Sequence, residues 1–264
     1  MKLKTDKMIA EKKDGVGWLT FNNPDRRNAV SLEMWEAIGT VMDDYSQDPD
    51  VRCCVMTGAG DKAFVSGADI SQFKEKRNDA EAAAEYDRVS SDSRLKLGEF
   101  EKPLIAMIRG YCLGGGLGVA MSADFRIASE DSQFGIPAAR LGIAYTFENV
   151  QRLASLVGPS FAKEILITGR RLAAAEAYQI GLINRVVPVD ALAATVQEFT
   201  DAITENAPLS MRASKLTVAE ILKDKEDRDY DMIDGLKKAC FDSKDYQEGR
   251  EAFMAKRKPQ FTGT

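Results

Sequence analysis

Histidine is absent from all 264 residues, and that absence removes much of the usual enzymology. No Ser-His-Asp or Cys-His catalytic unit, no H-E-x-x-H zinc site and no imidazole working near neutral pH can be built. Proton chemistry falls to carboxylates, Tyr, Lys, Cys, the backbone or water. Cysteine is scarce: Cys53, Cys54, Cys112 and Cys240 show no C-x-x-C spacing and sit mostly in apolar runs, the pattern of small buried thiols in a reducing compartment. Long apolar runs are missing too. None approaches the roughly 18 uninterrupted apolar residues of a membrane span, and Met1 to Lys13 has no apolar signal-like core. A cytoplasmic protein with no membrane partner is therefore expected. Positive charge is not in excess: 36 Lys and Arg face 41 Asp and Glu, for a formal charge of −5. Wholesale nucleic-acid binding needs a basic face, so it is excluded, while local basic clusters remain open to a small anionic ligand.

What is present is an ordinary globular composition, 44% hydrophobic and 29% charged, which excludes disorder and collagen-like repetition. Val16 to Phe21 is rich in β formers and runs into the turn residues Asn22-Asn23-Pro24-Asp25. Ser31 is a helix N-cap candidate, with Leu32, Trp35, Ile38, Val41 and Met42 near one helical face through Tyr45. Val51 to Thr57 reads as a strand, Asp79 to Leu97 as a polar helix, and Pro103 to Ile108 as a strand buried on both faces. Gly110 to Gly116 is too rich in glycine to continue as regular strand. Leu117 to Ala123 is helical and Phe125 to Ala128 a strand; helices are expected at Asn149 to Leu156 and Phe161 to Thr168. The Ala173 to Gly181 helix stops at its glycine. Ile183 to Val187 is the last strand, and from Asp190 the pattern is helical, with breaks at Pro208 and near Asp242. Alternating strands and helices give an α/β core, residues 1–198, and a helical appendage, residues 199–264.

The strongest local signal is Gly114-Gly115-Gly116 between a strand and a helix. Glycine permits close ligand approach and leaves amide N–H groups free at a helix start; equally, it permits tight helix-strand packing. Neither G-x-x-x-x-G-K-[ST] nor G-x-G-x-x-G occurs here, so nucleotide-phosphate binding of those kinds is not indicated.

Taken together, Ala63-Phe64-Val65-Ser66-Gly67-Ala68-Asp69-Ile70 and Gly110 to Gly116 resemble the two oxyanion-hole segments of the crotonase, or enoyl-CoA hydratase/isomerase, superfamily. The resemblance extends over nearly the whole chain through Asn23-Pro24 with Asn28-Ala29, Phe134-Gly135-x-Pro137, Gln151-Arg152-Leu153, Gly181-Leu182-Ile183-Asn184 and Phe253-x-x-Lys256-Arg257-Lys258-Pro259. It implies an α/β crotonase spiral of ββα units with a C-terminal helical trimerisation region, assembled as a homotrimer or as a hexamer of two trimers. It implies an acyl-CoA substrate whose thioester enolate is held by the backbone N–H groups of Ala68 and Gly115, an oxyanion hole that needs no histidine. No separate cofactor or metal is implied, coenzyme A entering as part of the thioester. Ser66 matches a position whose main chain meets the adenine. Lys62, with Phe253 and Lys256 from a neighbouring subunit's tail, matches positions near the adenine and phosphates; Arg26 and Arg27 are further basic candidates. Each lysine is also compatible with a plain solvated surface.

The sequence departs from the family where hydration is carried out. The two hydratase glutamates would stand at Gly118 and Ala138 by this resemblance, which puts standard hydration and simple isomerisation in doubt. The resemblance implies that Gly142 to Glu148 lines the acyl pocket, which makes Tyr145 and Glu148 the polar groups that could serve instead. Tyr145 matches a tyrosine of a methylmalonyl-CoA decarboxylase in the superfamily, and is also compatible with simple packing. Glu148 is equally compatible with complementing a helix dipole. Four outcomes stand open: decarboxylation of a malonyl-type thioester, carbon-carbon bond chemistry, residual hydration through another acid or base, and a non-catalytic acyl-CoA-binding paralogue. Pocket size depends on the Gln72 to Leu97 segment and the C-terminal helices.

Overall fold

The computed structural model describes residues 1–69 and 80–264. Ile70, Asp79 and the first part of the Gln72 to Leu97 segment lie outside the described residues. In chain order the elements are β1 (Met8–Lys13), β2 (Val16–Phe21), α1 (Leu32–Gln47), β3 (Cys53–Gly58), β4 (Ala63–Val65), α2 (Ala80–Gly98), β5 (Leu104–Ile108), β6 (Tyr111–Leu113), α3 (Gly115–Ala120), β7 (Phe125–Ser129) and β8 (Gln133–Gly135). They continue through α4 (Phe147–Thr168), β9 (Leu172–Ala173), α5 (Ala174–Gln179), β10 (Arg185–Val187), α6 (Leu192–Thr204), α7 (Pro208–Ile221), α8 (Tyr230–Asp242) and α9 (Lys244–Met254).

Two sheets share the strands. One runs β1-β2-β3-β5-β7-β10 and the other β4-β6-β8-β9. Each consecutive pair β3/β4, β5/β6 and β7/β8 gives one strand to each sheet, so the chain winds as a spiral of repeated units. Within the larger sheet β1 and β2 are antiparallel and the remaining pairs parallel. Strand alternation sorts its side chains: Cys54, Met56, Leu104, Ala106, Ile108 and Ala128 enter the main core, while Cys53, Val55, Ile105 and Ile127 face a second core closed by Leu192, Val196 and Ile203 of α6. The boundary expected after residue 198 therefore falls inside α6, a helix that belongs to the sheet it covers.

The sequence expectations hold for β2, for α1 with Ser31 accepting the Met34 N–H, for β5 and for β7. Three differ. The residues after Gly110 do form a strand, β6, because the chain turns at Gly110 (φ 68) and pairs in the other sheet, beside β4 and β8. The helices expected at Asn149 and Phe161 form one span, α4, kinked where Gly158 takes φ 76, ψ 164 before Pro159. Strand β1, polar on its exposed face, carries only Met8 and Ala10 inward, too little alternation to mark it.

Candidate active site

The site is assembled by loops at the ends of the small sheet, and a buried asparagine sets the first of them. Asn28 is fully buried, and its amide donates to the carbonyls of Ala59 at 3.0 Å and Ala63 at 2.7 Å, while its Oδ1 accepts the Asn23 N–H at 2.9 Å. That fixes the loop before α1 against β4. Two residues on, Val30 donates to the Gly67 carbonyl at 2.9 Å and accepts from the Asp69 N–H at 3.0 Å; Ser66 N–H donates to the Arg27 carbonyl at 3.1 Å. Ala68 is thus held between pinned neighbours. Among the described residues its own N–H donates no backbone hydrogen bond.

The second loop brings Gly115 to the same place. Gly116 lies so close to β4 that a methyl on its α-carbon would collide with the Val65 carbonyl, which is why glycine stands there. Gly114 donates to the Gly135 carbonyl at 2.8 Å and takes φ 52, ψ −120, turning the Gly114–Gly115 peptide out of the strand direction. A side chain begun at Gly115 would reach the Ala68 nitrogen at 3.7 Å, so the two amides are neighbours. Gly115 opens α3, and its N–H is one of the first-turn donors that a helix leaves unused. Two adjacent, unspent amide donors can stabilise negative charge on one oxygen atom.

Tyr145 reaches into this constellation. Its hydroxyl donates to the Gly114 carbonyl at 3.0 Å, and burial pushes its phenol pKa upward, so the proton stays on. A methyl on Gly118 would meet that hydroxyl at 3.0 Å and Asn149 Oδ1 at 3.3 Å. The space beside residue 118 is therefore filled by Tyr145 and by Asn149, which is buried and donates to Thr146 Oγ1 at 3.0 Å. Ala138 is half-buried and packs on the main core.

The remaining sequence candidates fall into separate places. Glu148 is exposed in the first turn of α4, one helical turn before Arg152, whose guanidinium donates to Ser122 Oγ at 2.5 Å. Lys62 lines a cavity of about 370 Å³ with Asp25, Arg27, Asn28 and Asp61. Beside it the Tyr111 ring lies between the guanidinium groups of Arg27 and Arg171, at 5.4 and 5.1 Å from its centroid. Ser66 spends its N–H on Arg27 and its hydroxyl on the Arg26 carbonyl. Phe253 is 82% exposed and lines a different groove, with Phe241, Tyr246 and Phe261; Lys256 follows it in a left-handed conformation, φ 52. The structure brings Ala68, Gly115 and Tyr145 together, and a single chain puts Lys62 and Phe253 in different cavities. Asn149 carries no mark in the sequence beyond its helical position. Among the described residues no group of three or more acidic or thiol side chains is placed to hold a metal ion, and no helix is long and apolar enough to cross a membrane.

Two interleaved sheets wound from repeated units, with paired amides at their loop ends, define a crotonase-type fold. The family model for enoyl-CoA hydratase/isomerase matches residues 11–264, and the chain belongs to that family. It is 37% identical over 260 residues to a crotonyl-CoA hydratase of Syntrophomonas wolfei, covering 97% of this chain and 98% of that one. It is 35% identical over 256 residues to a short-chain-enoyl-CoA hydratase of Clostridium acetobutylicum, covering 97% of each. The solved structure of an enoyl-CoA hydratase/carnithine racemase from Magnetospirillum magneticum superposes with a TM-score of 0.93 at 35% identity, over 99% of this chain and 97% of that one.

Proposed function

We propose that the chain is an enzyme acting on an acyl-CoA thioester, whose carbonyl oxygen is held as an enolate between the N–H groups of Ala68 and Gly115. The observation that carries this reading is the pair of adjacent amides, neither spent on a backbone acceptor among the described residues. Preorganised amides cost no reorganisation when charge develops on the oxygen. Coenzyme A comes as part of the substrate, with Lys62 and Ser66 on one subunit and Phe253 and Lys256 of a neighbouring subunit about its nucleotide, in a trimer or a pair of trimers.

The reaction this site suits is one that makes the enolate without a pair of carboxylates. Residue 118 has no side chain, its space is taken by Tyr145 and Asn149, and residue 138 offers a methyl. Decarboxylation of a malonyl-type thioester meets that condition. The bond from the α-carbon to the carboxylate breaks, its electron pair passes into the enolate, carbon dioxide leaves, and a proton from solvent returns to the α-carbon. Hydration is the second reading, favoured by the hydratase names of the relatives; it would rest on Glu148, the carboxylate nearest to Tyr145 in the α4 start.

Turnover of crotonyl-CoA and methylmalonyl-CoA, followed side by side by mass spectrometry, separates these. Consumption of methylmalonyl-CoA alone is the expected result. Hydration of crotonyl-CoA, lost in Glu148→Gln, would replace it with the second reading, and coenzyme A affinity without turnover of any thioester would make the chain a binding paralogue. Gly115→Pro tests the hole itself. Proline is tolerated at the first position of a helix and a Cβ there makes only ordinary contacts; the ring carbon takes the place of the amide proton, so the N–H is lost and the position of the bound oxygen is crowded as well. A fall of about 100- to 1,000-fold in kcat is expected; an unchanged rate in a folded variant would remove the hole from the mechanism.

A further inference from the structure

We infer that Tyr145 is a positioning residue that strengthens the Gly115 N–H as an oxyanion donor, by hydrogen bonding to the opposite end of the same peptide group. The inference rests on the oxyanion-hole reading above. The peptide between Gly114 and Gly115 presents the Gly114 carbonyl at one end and the Gly115 N–H at the other. That carbonyl accepts two hydrogen bonds, from the Gly118 N–H at 3.1 Å and from the Tyr145 hydroxyl at 3.0 Å. The first is the ordinary first-turn bond of a helix; the second is an addition made by a side chain from the loop before α4. Charge drawn onto a peptide oxygen leaves the N–H of that peptide more positive, so hydrogen bonds at the two ends reinforce each other.

The geometry makes this a dedicated arrangement. The Gly114 N–H, in the preceding peptide group, donates to Gly135 in β8, so the residue that carries the carbonyl is itself held in place. The hydroxyl has room to reach the carbonyl because residue 118 is glycine: a methyl there would stand 3.0 Å from the phenol oxygen and push it away. Asn149, tied to Thr146, closes the other side of the same space. Burial keeps the phenol protonated, which a donor requires. Its proton is directed at the peptide, so Tyr145 acts through the hole and leaves protonation of the α-carbon to solvent.

The test uses a 4-(dialkylamino)cinnamoyl-CoA, a chromophoric thioester whose absorption moves to the red when its carbonyl is polarised, and therefore needs no knowledge of the natural acyl group. The wild-type protein is expected to shift it strongly, Gly115→Pro hardly at all, and Tyr145→Phe by a clearly smaller amount than wild type. On the turned-over substrate Tyr145→Phe lowers kcat by about fivefold, on the scale of one neutral hydrogen bond, with KM little changed. Gly118→Ala, which favours the helix and crowds the hydroxyl at 3.0 Å and Asn149 Oδ1 at 3.3 Å, gives a loss in the same direction, and the double variant is no worse than Tyr145→Phe alone. A full red shift in Tyr145→Phe, or losses that simply add in the double variant, overturns the inference. Loss of the shift in Gly115→Pro alone leaves the hole standing without Tyr145; absence of any shift with wild type, or its persistence in Gly115→Pro, overturns the hole reading as well.

Discussion

Lys256 takes the left-handed backbone, φ 52, directly after Ala255, the residue that caps α9. Its N–H donates to the Phe253 carbonyl at 3.2 Å and the following Arg257 N–H to the Ala252 carbonyl at 3.0 Å, the paired closure in which glycine is the usual occupant. A side chain with a Cβ is strained there by about 1–2 kcal/mol; its retention fits a residue whose cation is used, as proposed for the coenzyme A nucleotide. Lys256→Gly is therefore expected to raise stability by about 0.5–1 kcal/mol in urea unfolding while weakening coenzyme A binding in calorimetry. Unchanged affinity would return Lys256 to the solvated surface. Residues of this kind differ in how far the sequence reveals them. Gly115 stands in a glycine triplet that marks a close approach, but its pairing with Ala68 is legible only through the resemblance to the family. Asn28 stands in a recognisable motif, yet its part, tying two carbonyls of another strand loop, depends on contacts 31 and 35 residues away. Tyr145 is visible as a polar group near the pocket, but its partner is a backbone carbonyl, which no side-chain pattern discloses.

At the scale of elements, periodicity exposes strands and helices that bury a full face, and misses those too short to show a period. β4, β6 and β8 span three residues each, and they are the ones that lead into the site loops. The motif Gly181 to Asn184 proves to be scaffolding: Asn184 Oδ1 accepts the Arg126 N–H at 2.8 Å, and buried Arg126 donates to the Leu182 carbonyl at 2.8 Å. The C-terminal segment is scaffolding with a pH dependence. Glu248 in α9 accepts both ends of the Arg257 guanidinium, at 2.6 and 2.8 Å, and the Gln260 N–H at 2.8 Å. Arg257 and that amide hold its carboxyl well below the usual range, at about 2. A carboxylate with a depressed folded pKa contributes fully above its unfolded value, about 4.3, and loses the contribution as pH falls toward about 2. Protection factors for hydrogen exchange at residues 257–264, in which the intrinsic pH dependence is divided out, are thus expected to fall across that interval in wild type. In Glu248→Gln the segment is expected to be looser already at pH 6, with a flatter profile; the same acid profile in both proteins would assign the release to another group. Asp245, buried in α9, also accepts the Thr262 and Gly263 N–H groups, so the comparison of the two proteins, not wild type alone, isolates Glu248.

At the scale of the molecule, large apolar side chains are exposed together in two places: about α4, where Leu141, Ile143, Phe147 and Ile167 are all more than half exposed, and on the C-terminal helices. Val218, Ile221, Leu222 and Phe241 are all more than half exposed, and Phe253 and Met254 reach 82%. A groove of about 850 Å³ between β7 and α7, lined by Met121, Phe125, Met211, Val218 and Phe261, is open beside them. Scattered apolar side chains are normal on a monomer, and grouped ones next to an open apolar groove are the pattern of a surface that is covered in use. The proposed trimer would cover it, and Phe253 and Lys62, which line different cavities of one chain, would then meet at a nucleotide site between two subunits. Light scattering is expected to give three or six times the chain mass. Phe253→Ala should weaken coenzyme A binding without changing that mass, because the ring contributes to a neighbour's site more than to the contact that holds the subunits together. A chain that runs as a monomer and binds coenzyme A equally well with and without Phe253 would put the whole site on one subunit and the apolar helices to some other use.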